Sequence, residues 1–316
     1  IYAMLNQERF AEARQLIAAA LENKKLKSAQ RRWFQIASQI TTFKERTGRF
    51  STDLDYKGGF GPGLADMHVP EVIRTLWVGG KLSPFEVLSL KSFVQNGFEV
   101  ELYSYDEVTG VPDGVTHRDA SEIMPKSAVF AHSEKSGRSK GSYAGFADIF
   151  RWHLLNQKGG FWSDCDVICL RPFELPKNLA ISSELARTGY ADHMAVTNCF
   201  FGGPAHHSFF ETACEHARNY DPDSLEWGDL GTSLIGQLAE NLDLEASLLP
   251  HTAFNSIPPY DVFNVLLSQD HVRFAELTAN SWGVHLYNEV WRSAAKSKVG
   301  PFPRDSVLHK LFAKYD

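Results

Sequence analysis

The chain has 316 residues, 43% of them hydrophobic and 22% charged, with a formal net charge of −6. That length supports a large core and one or two domains, and the acidic balance gives nucleic acid no long-range attraction. No apolar run approaches the roughly 18 residues of a spanning helix, and no signal-peptide pattern opens the chain.

Residues 3 to 47 read as helix. Leu5, Phe10, Ala13, Ile17 and Leu21, then Trp33, Ile36, Ala37, Ile40 and Phe43, recur at helical spacing with charges between them. The pattern predicts two antiparallel helices joined near Asn23 to Lys27, too few for a solenoid. The basic cluster Lys24, Lys25, Lys27, Arg31 and Arg32 reads as a solvated face. A protein contact or a peripheral contact with anionic lipid is the alternative. From Thr47 to Met67 the glycine-rich "GRFSTDLDYKGGFGPGLADM" has no apolar periodicity and reads as a linker or ordered loop. Residues 1–66 are therefore expected to form a helical hairpin plus linker, and 67–316 a second domain.

That domain opens with a buried-strand candidate, "VIRTLWVGG" (72–80), a helix at 84–96 closed by Gly97, and a strand, "FEVELYSYD" (98–106). Strand, helix and parallel strand at this spacing make a βαβ unit. A helix at 143–157 ends at Gly159-Gly160 and feeds a strand carrying Asp164 and Asp166. Beyond residue 200, helices at 206–219 and 230–242 alternate with shorter extended pieces such as "RFAEL" (273–277). The fold class is α/β, with ligands expected at the carboxyl ends of strands.

Four cysteines (Cys165, Cys169, Cys199, Cys214) are too few for a disulfide framework and include no C-x-x-C pair, so they read as small hydrophobes of a reducing compartment. No N-x-S/T sequon occurs. The expected location is cytoplasmic, with the inner face of a membrane as the alternative. The sequence begins at Ile1, which leaves a leader or anchor ahead of it open.

A bare D-x-D is close to chance, since about one is expected in a chain of this size. Asp53-Leu54-Asp55 and Asp221-Pro222-Asp223 are such cases, in polar stretches that need only turns. Asp164-Cys165-Asp166 differs, because it lies between "GGFW" and "VICLRPF", where an apolar strand meets a core. Two carboxylates there are costly unless paired or metal-bound, and hard oxygen ligands suit Mg²⁺ or Mn²⁺ on a phosphorylated substrate. The preceding "YAGFADIFRWHLL" is apolar on nearly every face, yet carries Asp148 and Arg151 three apart. They read either as a structural ion pair or as a polar pair aimed at a hydroxylated ligand.

"YAGFADIFRWHLLNQKGGFWSDCDVICLRPF" resembles the central motif of the DXD-containing retaining glycosyltransferases: a D-x-x-R helix, paired glycines, an aromatic, then D-x-D. These comprise the bacterial capsular-polysaccharide and fungal outer-chain mannosyltransferase family and, more distantly, the large clostridial glucosylating toxins. "TLWVGG" is similar to the W-I-G-G that opens the same domain. The resemblance covers about residues 69 to 175 well, the remainder loosely and the N-terminal helices not at all. It implies a GT-A nucleotide-diphospho-sugar transferase domain over 67–316. The implied reaction moves a sugar from a UDP-sugar to a hydroxyl acceptor (a glycan or glycolipid, such as a capsular or surface polysaccharide), with Mn²⁺ or Mg²⁺ and with retention of configuration. Front-face attack, in which the departing phosphate takes the acceptor's proton, fits without a protein nucleophile.

Residue by residue, the resemblance implies that Trp77 stacks on the base, Asp148 and Arg151 bind donor-sugar hydroxyls, and Trp162 lines the donor pocket. Asp164 would contact ribose or metal-bound water, and Asp166 would ligate the metal. In "HLYNEVW" (285–291), His285 is the candidate third ligand, with Asn288, Trp291 or Arg292 near the diphosphate. Glu226 and Asp229 in "EWGDLGTSLIG" are weaker candidates for donor or acceptor contacts, because that segment lacks the family's proline. Gly137-Arg138-Ser139-Lys140-Gly141 fits G-x-S-x-G, but "AHSEKS" ahead of it is polar, so it reads as a loop from which Arg138 or Lys140 could reach phosphate. Two other readings stay open: a metal-dependent nucleotidyltransferase or nucleotide-sugar hydrolase, and a degenerate α/β scaffold whose helices are the working part.

Overall fold

The computed structural model describes residues 9–23, 67–133, 140–188, 191–218, 220–239 and 247–316, together with Met4, Ala37 and Thr41. The second N-terminal helix, the basic cluster, the glycine-rich linker and most of the G-x-S-x-G loop lie outside the described residues. Of the expected hairpin, α1 spans Phe10–Leu21 and buries Ala13 and Ile17.

The centre is a mixed six-stranded sheet in the order β4-β3-β2-β5-β9-β8. Its strands are β2 (Val72–Leu76), β3 (Glu99–Ser104), β4 (Val115–Asp119), β5 (Gly160–Ser163), β8 (Ala180–Thr188) and β9 (Ala191–Gly203). The first four run parallel, and β9 and β8 form an antiparallel hairpin against β5. Two short antiparallel ribbons accompany it: β1 (Met67–His68) with β7 (Leu175–Pro176), and β6 (Val167–Cys169) with β10 (Gly283–His285).

The period-2 alternation of side chains sorts the core into two faces. Ile73, Val100, Leu102, Phe161 and Phe200 face one cluster with Leu90 and Phe93 of α2 (Pro84–Gln95). Leu76, Tyr103, Trp162 and Phe201 face the other, with Phe150 and Trp152 of α3 (Ala144–Lys158), Phe209 and Phe210 of α4 (Ser208–Ala217) and Leu234 and Ile235 of α5 (Leu234–Ala239). Helix α3, apolar all round in sequence, is accordingly buried on most of its surface. A third cluster joins Phe85 and Leu88 of α2 to α6 (Val262–Leu266), α8 (Asn288–Ser293) and α9 (Val307–Tyr315). Among the described residues, no helix is long and apolar enough to cross a membrane.

Helix α2 fixes the strand that follows the two aspartates. Ser89 Oγ donates to Val167 O at 2.6 Å, Cys169 N–H donates to Ser92 Oγ at 2.8 Å, and Asn96 Nδ2 donates to Cys169 O at 3.1 Å. Gly159 and Gly160 connect α3 to β5 with φ of 62° and 79°. A Cβ on Gly160 would lie 2.1 Å from Arg74 Nη1, whose guanidinium donates to Gly159 O. Glycine alone takes these positive-φ conformations readily, and at Gly159 a Cβ would also lie 2.6 Å from the Ala205 backbone nitrogen.

Two features depart from the sequence reading. "RFAEL" is helical, within α7 (His271–Leu277), because Asp270 accepts from Arg273 N–H at 2.9 Å and caps a run of helix formers. The β8–β9 hairpin was not anticipated, because "AISSELART" does not alternate cleanly and its ladder shifts register between Ile181 and Ser183.

Candidate active site

The chain order β2, β3, β4 runs outward on one side of β2, and β5 then returns to its other side. The carboxyl ends of β2 and β5 therefore form the topological switch point of the parallel half, where open α/β sheets bind ligands. A cavity of about 1010 Å³ lies there. Leu76 enters it from the end of β2, Trp77 and Val78 from just beyond that end, and Asp164, Cys165 and Asp166 from the turn after β5.

That turn is held on both flanks. Asp164 N–H donates to Cys199 O of β9 at 2.8 Å, and Leu286 N–H, just after β10, donates to Asp166 O at 2.8 Å. Ligand atoms of Asp164, Asp166 and His285 consequently lie within 4.8 Å of one another, the one such group of three among the described residues. Asp166 Oδ1 is 3.4 Å from His285 Nε2, and its Oδ2 accepts from the Asn288 backbone N–H at 2.6 Å. Two carboxylates and an imidazole around one point form a donor set that could hold a metal ion. Asn288 Oδ1, also at this cavity, is buried with no partner among the described residues.

Electrostatics separate the two aspartates. For Asp166 burial works upward, but the His285 ring, the Asn288 N–H and Lys298 outweigh it and hold the carboxyl below its ordinary value. Burial likewise works to lower His285, and Asp166 reverses this and carries the imidazole well above its ordinary value. Burial pushes Asp164 up, against the nearby Arg151 guanidinium.

Arg151 joins the helix to the turn. Its guanidinium lies 3.2 Å from Asp148 Oδ1 and 3.0 Å from Asp164 Oδ1, donates to Asn198 O at 2.7 Å and to Ala147 O at 3.2 Å, and sits 4.6 Å from the Trp162 ring centroid. Trp162 Nε1 donates to Asp164 Oδ1 at 2.7 Å. Asp148 Oδ1 also accepts from Asn198 Nδ2 at 2.9 Å. Burial pushes Asp148 up to about 6, and Arg151 offsets this only in part. The Asp148–Arg151 pair is thus an ion pair that also lines the cavity.

Trp77, Asp148, Arg151, Trp162, Asp164, Asp166, His285 and Asn288 all line this one cavity. Trp291 does not. It is 1% exposed, stands edge-on to Phe85 and Phe263, and donates its indole N–H to Leu286 O. Arg292 is not in the lining but pairs with Glu289, which is; Glu226 and Asp229 also lie outside it and bond to each other through Glu226 N–H and Asp229 Oδ2 at 2.9 Å.

Sequence reasoning missed three contributors. Asn198 sits within "AVTNCFF", where a buried amide in an apolar strand was the available signal. Glu86 is fully buried and accepts from Asn288 Nδ2 at 3.0 Å and from Lys298 Nζ at 2.9 Å; with Ser89, Ser92 and Asn96 it makes a polar stripe at helical spacing on α2. Asn255 lies behind His285 and left no sequence signal. All four cysteines are free, and burial pushes the Cys169 thiol up to about 12 and Cys214 up to about 11.

No family model matches the chain, and neither does any curated protein. Among solved structures it is similar to PaToxG glycosyltransferase, at 14% identity over 90% of this chain and 96% of that one, with a TM-score of 0.39. Two others are a mutant transferase (10% identity, 56% of this chain, 88% of that one, TM-score 0.37) and a transferase (14% identity, 57% and 89%, TM-score 0.31). Likenesses at this level establish neither a shared fold nor a shared activity.

Proposed function

We propose that the chain is a metal-dependent glycosyltransferase with a GT-A domain over 67–316, moving a sugar from a UDP-sugar to a hydroxyl of a glycan or glycolipid with retention of configuration. One observation carries this reading. The Asp148–Arg151 pair and the Asp164, Asp166 and His285 ligands meet in a single cavity at the sheet's switch point, joined through Arg151 and Asp164.

Asp164, Asp166 and His285 would hold Mn²⁺ or Mg²⁺, which when bound supplies charge neutralisation to a departing diphosphate. Trp77 offers a ring face for the uracil. Asp148, kept in place by Asn198 and Arg151, accepts hydrogen bonds from donor-sugar hydroxyls, while Arg151 donates to them. Trp162 orients Asp164 through its indole N–H and walls the donor pocket. Asn288 presents its side-chain oxygen beside Asp166. Asp166 and His285, 5% and 9% exposed, lie deep in the cavity.

The test is a panel of UDP- and GDP-sugars incubated with the protein and Mn²⁺, with products resolved by mass. The expected products are UDP and a glycoside, or UDP and free sugar without acceptor. Pyrophosphate as the product would instead identify the nucleotidyltransferase alternative, and absence of turnover with every donor would overturn the enzymatic reading.

A further inference from the structure

Behind the metal-ligand cluster lies a buried amide that the donor-binding roles do not use. Asn255 is 0% exposed. Its Nδ2 donates to Ser183 O at 2.9 Å, on strand β8. A backbone carbonyl can only accept, so this contact fixes which end of the amide is which. The oxygen end, Oδ1, therefore faces His285 Nδ1 at 3.1 Å and the Tyr287 hydroxyl at 3.2 Å. Turning the amide over would set Oδ1 against the Ser183 carbonyl and leave two buried acceptors facing each other. Ser183 is itself anchored, because its hydroxyl donates to Leu249 O at 2.7 Å beside the register shift in the β8–β9 ladder.

We infer that Asn255 is a positioning residue for the metal site, and that its Oδ1 holds a proton on His285 Nδ1, so that Nε2, which faces Asp166, is the nitrogen that gives up its proton when a metal binds. This rests on the metal-dependent reading above. An acceptor at Nδ1 requires Nδ1–H, and the other nitrogen is then the ligand. The opposite tautomer would aim an N–H at the position between the carboxylates. The Tyr287 ring, its centroid 4.0 Å from that of His285, restricts the imidazole plane, and its hydroxyl shares the same Oδ1. The β8–β9 hairpin thus reaches the metal ligand through Ser183 and Asn255, although it contributes no ligand itself.

Two measurements test this. In wild-type protein labelled with ¹⁵N-histidine and loaded with Zn²⁺ as a diamagnetic probe, the signals lost in His285→Ala identify the ring. Nδ1 is expected to be protonated and Nε2 metal-bound; a protonated Nε2 or a metal on Nδ1 would overturn the inference. Mn²⁺ titration followed by electron paramagnetic resonance then compares variants. Asn255→Leu is expected to weaken Mn²⁺ binding by about 10- to 100-fold. Asn255→Asp keeps an oxygen on Nδ1 and, as the neutral acid that burial and the Ser183 carbonyl favour, donates its hydroxyl to Ser183 O in place of the amide, so its affinity should stay within about threefold of wild type. Equal weakening in both variants would make the effect one of packing and overturn it, as would wild-type affinity in the leucine variant. Wild-type protein that takes up no Mn²⁺ would overturn the metal reading first, and the inference with it.

Discussion

Arg151 and Asp148 show how far single side chains set this site. Arg151 engages Asp148, Asp164, Asn198 O and the Trp162 face at once, a planar fork that a lysine ammonium cannot reproduce. Arg151→Lys is expected to lower kcat/KM for sugar release by roughly 10²-fold, the scale of a 1 Å misplacement. Mn²⁺ affinity should move far less, and parallel kinetics and metal titration check both. Asp148 carries a cost in stability. Its folded pKa of about 6 lies above the ordinary 3.8, so its contribution is complete below pH 3.8 and is lost as the pH rises through 6. Asp148→Asn is therefore expected to gain about 2 kcal/mol over wild type between pH 4.5 and pH 8, while losing activity. Thermal unfolding of both proteins at the two pH values checks this, and a difference that does not change with pH would contradict it. The D-x-x-R and D-x-D positions were legible because charged side chains stand out in apolar runs. Asn198 and Asn255 were not, since an amide that becomes buried through distant backbone carries no spacing of its own.

At the scale of elements, the site is made by turns pressed against helices. The turn Asp229–Ser233 brings Gly231 against α3 so closely that a Cβ there would lie 2.4 Å from Asp148 Oδ2. Gly231→Ala is expected to cost about 1–3 kcal/mol through overpacking and to reduce activity by displacing Asp148. Because the Asp164, Asp166 and His285 cluster does not touch Gly231, Mn²⁺ affinity should stay near wild type. Denaturant unfolding beside Mn²⁺ titration separates the two effects, and equal loss of both would contradict the assignment. Helices and parallel strands were legible because their apolar period is strong: α2, α3, β2 and β3 fall where "PFEVLSLKSF", "FADIFRWHLL", "VIRTL" and "VELYS" place them. The hairpin β8–β9 and helix α7 were not. Their patterns are short or shifted, and the tertiary neighbours that decide them, β5 for the hairpin and Asp270 for the helix, are invisible in a local window. Trp291 shows the same limit, because spacing from His285 set its distance along the chain but not the face of α8 it occupies.

For the whole molecule, one mixed sheet packed on both faces brings six separate stretches of chain to one cavity: the end of β2, α3 with β5, β8, β9, the stretch from Trp227 to Thr232, and the segment from Pro259 to Val290. The expectation that ligands gather at strand carboxyl ends coincides with the position of the cavity. The α/β class was legible from the βαβ spacing and His285 from "HLYNEVW", whereas the contact of Asn255 with His285 depends on long-range packing that no motif encodes. The central claim is that these parts act together as a metal-dependent sugar transferase with Asp166 at the metal. The most direct test is Mn²⁺-dependent UDP release from a UDP-sugar by wild type and Asp166→Ala, with folding of the variant followed by circular dichroism. The account predicts that the folded variant loses Mn²⁺-dependent release; full activity in that variant would contradict it.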